Sequence, residues 1–539
     1  MFVFFHGYSP DTWEGTQKHH LMREGDGLRV VQSIMQTPDM HFNALAKKGG
    51  ALYEIIREKN CPMYMDRIQG GINIFDYPYD RALIADYQAM LGDKFYGFQM
   101  HEWLSNYRTD LHKLGNLSAE DWTEENIIKT INDQFGGMFL FLESMTAKEM
   151  EQAGKAETFA HFFKNMTDIF KKRMEIAPLL PADSGFITTQ FALSCGVKRI
   201  MPEIGGQIPY TRLQLCYARG MMQGEGRSFG AYYEPWGGGV FSACMYNSSG
   251  KNEWGLKAEH GFPFETAGPN GGSSRSLQKR IFHYAYLSGA QFISEEWGLY
   301  NTFMDLEDFA LSPYGKVKKD FLAFVDRYKD IGKKLAPIAA VIPEEMQVYD
   351  LWWDTPGFDL HCGFPSPFPY IREVKEAIAA LFLDAAPAIG IETNIMHNSI
   401  IPDAIDMLNR DDRLLRQYDY LVDLTQSADF KNKFKNTCEI SDVPALLKNL
   451  LPCYVEGALH WMVNERTGGG YYLSVFNNSG VTRTLQDGES TLPEAEATVY
   501  VTFKNDAVPT LLEGCASLQK DGDGYRLTVA PGEFVFISF

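Results

Sequence analysis

The sequence predicts an α/β protein of three parts: a (β/α)8 TIM barrel, a small doubly wound, flavodoxin-like α/β domain and a C-terminal antiparallel β-sandwich. Strand-like runs followed by helical patterns recur through roughly the first 335 residues, as expected of repeated βα units. The alternation continues over a shorter stretch, and the tail then alternates between apolar and polar residues. We place the three parts at residues 1–336, 337–450 and 451–539.

Length and composition limit the classes of function that the protein can have. A chain of 539 residues is too long for one core, and an aromatic share of 14% suits a protein that binds rings or carbohydrate. The formal net charge of -19 argues against nucleic acid and against an anionic membrane surface as partners. No apolar window approaches the roughly 18 residues of a membrane span.

The cysteines and the N-terminus bear on the compartment. None of the eight cysteines forms a Cys-x-x-Cys pair, which is typical of free thiols in a reducing cytoplasm. Residues 1–8 lack the basic region and the cleavage site of a signal peptide, so we interpret them as the first strand. The sequence leaves open a homo-oligomer and a signal peptide removed from the chain.

Eight strands are predicted for the barrel, each followed by a helical pattern or a loop. They are Phe2–His6, Pro62–Asp66, Phe95–His101, Gly185–Thr189, Arg199–Glu203, Phe229–Glu234, Gln291–Glu295 and Pro337–Ile342. A long insertion with helical patterns at 124–132 and 159–175 follows the third strand, and a glycine-rich loop at 236–274 follows the sixth. We expect the insertion to form a lid or wall over the barrel mouth and the glycine-rich loop to serve the ligand.

The remaining elements follow a different pattern. Strands at 338–342, 391–396 and 418–424 and a helix at 372–382 predict the α/β domain. No Gly-x-Gly-x-x-Gly opens a helix there, so no nucleotide cofactor is predicted. Strands at 471–476, 526–529 and 534–539, with turn residues between them, predict the β-sandwich.

The strongest indication of chemistry is the stretch Gly289–Gly298, where a short apolar run ends in Glu295, Glu296, Trp297 and Gly298. The C-terminal ends of parallel strands face the ligand, so acids at such ends are more often chemical than structural. A solvated pair of loop carboxylates is the alternative. An aromatic face beside a carboxylate favours sugar binding, because sugar rings stack on aromatic rings.

Further acids stand at other predicted strand ends, namely Asp66, Glu102, Glu203 and Glu234. A barrel mouth ringed by carboxylates and tryptophans is typical of a glycosidase. Cleavage of a glycosidic bond needs one protonated carboxyl as donor and one carboxylate as nucleophile or base, set roughly 5–10 Å apart.

A metal site is the minority alternative, with His6, Asp66, His101 and Glu102 as candidate ligands. No His-x-His or His-Glu-x-x-His occurs, so we predict no metal and no other cofactor. A Gly-x-Ser-x-Gly elbow and a phosphate loop are also absent from the sequence.

The layout resembles that of barrel glycoside hydrolases, and the order of the three parts is similar to family 42 β-galactosidases. That resemblance implies a retaining pair of glutamates at the ends of the fourth and seventh strands. With our strand count, Glu295 or Glu296 matches the seventh position, and Ser294 shares strand parity with Glu296, which favours Glu296. The predicted fourth strand carries no acid, which departs from the family pattern.

Three glutamates are candidates for the proton donor or for a supporting role. We rank Glu203 first and Glu102 second as donor, and expect Glu234 to bind substrate hydroxyls. Trp103, Trp236 and Trp297 each follow a strand-end carboxylate within two residues, so we expect them to line the pocket. The full set assigned to substrate binding is Asp66, Arg67, His101, Trp103, Tyr233, Glu234, Trp236, Asn270 and Trp297.

These observations favour an exo-acting, retaining glycoside hydrolase that cleaves terminal sugars from oligosaccharides in the cytoplasm. A catalytically inactive carbohydrate-binding protein on the same barrel is the alternative from another class. A metal-dependent barrel hydrolase or lyase is the third hypothesis.

Overall fold

A computed structural model provides the structure of the protein. It describes residues 2–31, 41–66, 79–101, 156–183, 188–205, 211–224, 226–234, 270–296, 298–305, 307–344, 370–383, 396–484 and 486–539, with a few isolated residues between them.

Eight parallel strands form a TIM barrel, and two of them are interrupted by one or two residues. They are β1 (Val3–Tyr8), β2 (Gly27–Val30), β3 (Met63–Met65), β4 (Phe95–His101), β5 (Leu179–Ala182), β6 (Arg199–Ile200 and Glu203–Ile204), β7 (Ser228–Phe229 and Ala231–Tyr233) and β8 (Phe292–Glu295). Sheet order runs β5-β4-β3-β2-β1-β8-β7-β6. Backbone hydrogen bonds from Met201 to Pro181 (2.9 Å) and from Glu203 to Asp183 (3.1 Å) join β6 to β5 and close the barrel.

The strand count differs from the sequence prediction at three places. Two strands were missed, β2 and β5. The predicted strand Gly185–Thr189 is wrong at Thr188 and Thr189, where a helix begins, and 185–187 lie outside the described residues; a barrel strand lies earlier, at Leu179–Ala182. The predicted eighth strand, 337–342, belongs to a different sheet. The fourth and seventh strands of the barrel are therefore β4 and β7.

Helices stand between the strands and beyond the barrel. They are α1 (Pro10–Lys18), α2 (Phe42–Leu45), α3 (Ala51–Lys59), α4 (Arg81–Leu91), α5 (Phe159–Met174), α6 (Thr188–Ser194), α7 (Thr211–Met221), α8 (Arg275–Leu287), α9 (Gly298–Thr302), α10 (Pro313–Arg327), α11 (Ile371–Phe382), α12 (Asp412–Leu415), α13 (Phe430–Lys433) and α14 (Val443–Leu450). The predicted helices at 159–175 and 372–382 are confirmed as α5 and α11, while most of 124–132 lies outside the described residues.

Two helices that flank β8 begin at serine caps. Ser274 Oγ accepts a hydrogen bond from the Leu277 amide at the start of α8 (2.8 Å), and Ser312 Oγ accepts one from the Gly315 amide at the start of α10 (2.9 Å). Such caps satisfy amides that the first helical turn leaves unpaired. The two helices pack against each other on the outside of the barrel.

A second, four-stranded parallel sheet follows the barrel, in the order β13-β10-β14-β15. Its strands are β10 (Ile338–Ile342), β13 (Ile405–Asn409), β14 (Tyr420–Asp423) and β15 (Thr437–Cys438). The short strand β9 (Lys333–Lys334) precedes it, and a two-stranded parallel pair lies within it in sequence, β11 (Tyr349–Asp350) and β12 (Phe364–Pro365). The predicted strand at 418–424 is confirmed, 391–395 lies outside the described residues, and the doubly wound arrangement stays a prediction.

Antiparallel sheets complete the chain. Their strands are β16 (Cys453–Glu456), β17 (His460–Glu465), β18 (Tyr471–Phe476), β19 (Val481–Thr484), β20 (Gly488–Thr491), β21 (Ala497–Phe503), β22 (Thr510–Glu513), β23 (Ala516–Asp521), β24 (Gly524–Val529) and β25 (Phe534–Ser538). One sheet has the order β9-β17-β18-β25-β22 and another β16-β21-β24-β23. Side chains from both sheets enter one hydrophobic core, and β9 ties the segment after the barrel to β17.

No helix within the described ranges has the length and the apolar character needed to cross a membrane. The domain boundaries at 336 and 450 stay predictions.

Candidate active site

Alternation along the strands divides the barrel residues into an inner and an outer set. Val3, Phe5, Tyr64, Tyr232 and Phe292 belong to a small apolar cluster that is separate from the core beneath the helices. Side chains two positions apart on a strand share a face. The same face therefore carries acids at the C-terminal strand ends. They are Asp66 after β3, Glu203 on β6, Glu234 after β7 and Glu296 after β8.

Three of these acids converge. One carboxylate oxygen from each of Glu203, Glu234 and Glu296 lies within 4.8 Å of the others, and all three residues are buried. Backbone hydrogen bonds between strands fix their positions, since the Glu234 amide donates to the Ile204 carbonyl (2.9 Å) and the Glu296 amide donates to the Tyr233 carbonyl (2.8 Å). We call these three residues the carboxylate cluster.

A buried arginine lies beside the cluster. Arg29 Nη2 is 2.9 Å from Asp66 Oδ1, and Nη1 donates a hydrogen bond to the carbonyl of Glu295. Its guanidinium lies 5.3 Å from the centroid of the Tyr232 ring. Burial opposes the charge of Arg29, but Asp66, the two nearby tyrosines and Glu296 together raise its pKa well above the usual value. Arg29 therefore stays charged next to the acids.

The two adjacent glutamates after Ser294 have different surroundings. Glu296 joins the carboxylate cluster, whereas Glu295 forms a buried ion pair with Lys318 of α10. Burial raises the pKa of Glu295, and the Lys318 ammonium opposes that rise. On the inner face, Ser294 Oγ lies 2.6 Å from the hydroxyl of Tyr64.

Two of the residues assigned to substrate binding lie away from the cluster. The Tyr233 side chain is on the outer face of β7, fully buried, with its ring 5.1 Å from that of Phe282 on α8. Its neighbour Tyr232 has the inward position. The Asn270 carbonyl accepts a hydrogen bond from Arg483 of β19 (3.1 Å), so Asn270 contacts the C-terminal sheets.

Several predicted residues lie outside the description. Arg67, Glu102, Trp103, Trp236 and Trp297 belong to this group, and only the backbone of His101 is described, as the last residue of β4. The predicted pocket lining by the three tryptophans therefore stays a prediction. In sequence, Glu102 comes directly after β4.

Sequence reasoning missed Arg29, Tyr64 and Tyr232. Arg29 was not found because β2 is four residues long and carries a charge in its middle, which hides the strand pattern. An arginine inside a short apolar run, with an acid at the end of the next strand, is the signal that could have revealed the Arg29–Asp66 pair.

The arrangement supports acid–base chemistry. Carboxylates this close repel one another when ionised, which favours retention of a proton within the group. The same three oxygen donors could instead hold a divalent cation, which prefers carboxylate ligands. Within the described part of the chain, this is the one group of three potential metal ligands that converge.

The chain matches no protein-family model and no curated protein sequence. Among solved structures, it is similar to a polyextremophilic β-galactosidase from the Antarctic haloarchaeon Halorubrum lacusprofundi (10% identity, TM-score 0.44, covering 100% of this chain and 99% of that one). It is also similar to α-L-fucosidase isoenzyme 2 from Paenibacillus thiaminolyticus (9% identity, TM-score 0.44, 99% of each chain) and to an α-amylase from H. orenii (8%, 0.35, 100% and 99%). At these identities and TM-scores, none of the three likenesses bears on what this chain does.

Proposed function

We propose that the protein is a glycoside hydrolase that removes terminal sugars with retention of configuration. The observation that carries the proposal is the carboxylate cluster, three buried acids at the C-terminal ends of adjacent strands of a TIM barrel. Glycosidic cleavage needs paired carboxyl groups with different protonation states, and closely spaced buried acids favour such a difference.

The spacing supports retention. An inverting pair needs about 6.5–9.5 Å between carboxyl groups to admit a water molecule, whereas a retaining pair stands about 5–5.5 Å apart. Glu234 and Glu203, the alternative donor, each have a carboxylate oxygen within 4.8 Å of the other, which favours the shorter arrangement for that pair.

The strand count changes the roles that we assign. The resemblance to barrel glycoside hydrolases implies catalytic glutamates at the ends of the fourth and seventh strands. Those strands are β4 and β7, so Glu234 takes the nucleophile role that the sequence count gave to Glu296, and Glu102, which follows β4, becomes the first candidate for proton donor. Glu203 is the alternative donor, and Glu296 would bind substrate or adjust the charge of Glu234.

The substrate side of the proposal rests on charge and composition. The carboxylates favour a neutral or cationic sugar over a uronic acid. We expect the protein to act in the cytoplasm on short oligosaccharides, since the six described cysteines are free thiols.

Release of nitrophenol from a panel of aryl glycosides tests the proposal. We expect hydrolysis of at least one glycoside, unchanged by a chelator and abolished in the Glu234→Gln variant. Hydrolysis that a chelator removes and a divalent cation restores would instead favour a metal-dependent enzyme, which the convergence of the three oxygen donors makes the second candidate. Sugar binding without turnover by the wild type would favour an inactive carbohydrate-binding protein.

A further inference from the structure

One buried lysine contacts the chain on both sides of Glu296. Lys318 lies on α10 with a side chain 3% exposed, and its Nζ forms an ion pair with Glu295 Oε2. The same Nζ donates a hydrogen bond to Thr302 Oγ1 at the end of α9. The Phe4 ring of β1 lies 5.4 Å from the ammonium group. These contacts lie on the outer face of β8, opposite the carboxylate cluster.

The chain between the two contacts is short and close to the ion pair. Glu295 is the last residue of β8, and α9 spans Gly298–Thr302. Thr302 Oγ1 also donates to the Gly298 carbonyl. A Cβ atom at Gly298 would lie 2.7 Å from Glu295 Oε2, so the start of α9 rests directly on the Glu295 carboxylate. Glu296 therefore lies between two residues, Glu295 and Thr302, that both contact the Lys318 ammonium group.

We propose that Lys318 is a positioning residue that fixes the Glu296 carboxylate in the cluster without contacting it. This inference rests on the proposed function, because it assigns Glu296 a place next to the reacting sugar. Active-site groups must be held to within about 0.5 Å by their supporting contacts. A displacement of about 1 Å caused by a distant substitution can lower turnover about 100-fold.

A simpler role is charge balance alone. Lys318 would then serve only to neutralise buried Glu295, and replacing both partners by uncharged groups of similar size would be tolerated, as observed for other buried ion pairs. The double variant Glu295→Gln/Lys318→Met separates the two roles. Charge balance predicts wild-type turnover. Positioning predicts that kcat falls about 10- to 100-fold while KM stays within about twofold.

A matched control exists elsewhere in the chain. Lys334 Nζ lies 2.5 Å from Asp403 Oδ1 in an ion pair that is as deeply buried, with side chains 2% and 1% exposed. The double variant Asp403→Asn/Lys334→Met should lower stability without changing kcat. If it lowers kcat as much as the Lys318 variant does, the effect is general destabilisation and the proposal is overturned.

A milder variant covers the case in which the double variant fails to fold. Thr302→Val is close to isosteric. It removes the hydrogen bonds of Thr302 Oγ1 with Lys318 Nζ and with the Gly298 carbonyl and leaves the ion pair of Lys318 with Glu295. We expect kcat to fall several-fold at unchanged KM, and amide hydrogen exchange over residues 296–302 to quicken relative to the wild type. Wild-type kcat and exchange in this variant would overturn the proposal.

The exchange measurement also separates this inference from the proposed function. If the wild type hydrolyses no glycoside, the glycosidase proposal fails, yet exchange over 296–302 still reports whether Lys318 holds this segment. Faster exchange in Glu295→Gln/Lys318→Met and Thr302→Val, with wild-type exchange in the Lys334 control, would then support the positioning role. Wild-type exchange rates in the first two variants would overturn the positioning role of Lys318.

Discussion

Glu295 and Glu296 are neighbours in the chain, but their carboxylates lie on opposite sides of the barrel wall. The parity of a strand determines which side chain faces the interior, and Ser294 sets that parity through its contact with Tyr64. A charge on the outer face needs a partner under the helices, and Lys318 provides it. The inner charge is instead surrounded by acids and by Arg29, which is the environment that acid–base chemistry requires.

Replacing the proposed nucleophile tests the assignment of roles. Glu234→Gln should lower kcat by several orders of magnitude, because it removes the group that would form the covalent glycosyl-enzyme. Glu296→Gln should cost less, since it removes a neighbour and not the nucleophile. Steady-state kinetics on the best aryl glycoside measures both. If the Glu296→Gln variant is inactive while the Glu234→Gln variant is active, the nucleophile is Glu296 and not Glu234.

Azide distinguishes the two candidate donors. In a variant without the donor, an activated aryl glycoside still forms the glycosyl-enzyme, because a good leaving group needs little protonation. Azide should then raise the turnover of Glu102→Ala and give a glycosyl azide of retained configuration, but should leave Glu203→Ala unaffected. Rescue of Glu203→Ala alone would move the donor role to β6.

At the scale of elements, the sequence predicts periodic segments well and short or charged ones poorly. Helices α5 and α11 and strands β1, β4 and β8 follow from their apolar spacing. The missed strand β5 is four residues long and contains Pro181, which is rare inside strands. Strand β10 was predicted as the last barrel strand because buried parallel strands have continuous apolar sequences, and such a sequence does not show which sheet the strand joins.

The missed strand β2 changed the strand count by one, whereas the miss of β5 was offset by the wrong strand at Gly185–Thr189. Glu296 therefore follows the eighth strand of the barrel and Glu234 the seventh, one position later than the sequence count gave for each. The acids themselves were identified from their strand-end positions. Their convergence depends on barrel closure, a long-range property that no local pattern reports.

Helix α8 contains a histidine that should make the protein sensitive to acid. His283 Nδ1 donates to the Lys279 carbonyl (2.7 Å), and its ring lies 4.4 Å from that of Phe534 and 4.6 Å from that of Phe324. Burial lowers the pKa of His283 to about 3. As the pH falls, the imidazole is therefore protonated in the unfolded chain before it is protonated in the folded protein. The free energy of unfolding decreases as the pH falls from about 6.5 towards 3.

The variant His283→Phe should remove that part of the acid sensitivity. Between pH 7 and pH 5, the wild type should lose about 2 kcal/mol of unfolding free energy through this residue, and the variant should not. Urea unfolding at the two pH values measures the difference. His161→Phe on α5 is the matched control, because it makes the same substitution at an exposed histidine. An equal pH dependence in His283→Phe and the wild type would contradict the prediction.

Helix α7 packs closely against strand β13 of the second sheet at Gly220. A Cβ atom there would lie 2.2 Å from the Met407 carbonyl oxygen. Gly220→Ala should therefore destabilise the protein by about 1–3 kcal/mol through overpacking, although alanine favours helices. Thermal unfolding checks this, with Gly468→Ala as control, since a Cβ at Gly468 meets nothing within 4 Å. A Gly220→Ala variant as stable as the wild type would show that the helix can shift.

At the scale of the whole molecule, the three parts meet around one buried aspartate. Asp403 Oδ1 lies 2.5 Å from Lys334 Nζ, and Asp403 Oδ2 accepts hydrogen bonds from Tyr284 of α8 (2.5 Å) and His460 of β17 (3.3 Å). Burial opposes its charge, but Lys334, His460 and nearby arginines keep the pKa of Asp403 well below its usual value. The partners of this buried charge lie on α8 of the barrel, on β9 and on β17 of the terminal sheet, so we expect the folding of these elements to be coupled.

The C-terminal sheets also cover apolar surface of the barrel. Phe534 and Phe536 of β25 lie 5.7 Å and 5.4 Å from Phe324 of α10, and they share a core with the barrel helices. Arg280 of α8 is fully buried and donates to Asn478 Oδ1 and to the Gly532 carbonyl, each at 2.9 Å. Removal of the sheets would expose the apolar face and deprive Arg280 of these acceptors.

We therefore expect that residues 1–450 do not form a stable protein by themselves. The exposed aromatic face should drive aggregation, because large apolar patches on a surface promote association. The full chain should unfold in one calorimetric transition, whereas the truncated chain should be insoluble or lack a cooperative transition. Expression of both chains, followed by size-exclusion chromatography and calorimetry, checks this. A monomeric fragment 1–450 with a sharp transition and wild-type turnover would show that the sheets are an accessory to the barrel instead of part of its core.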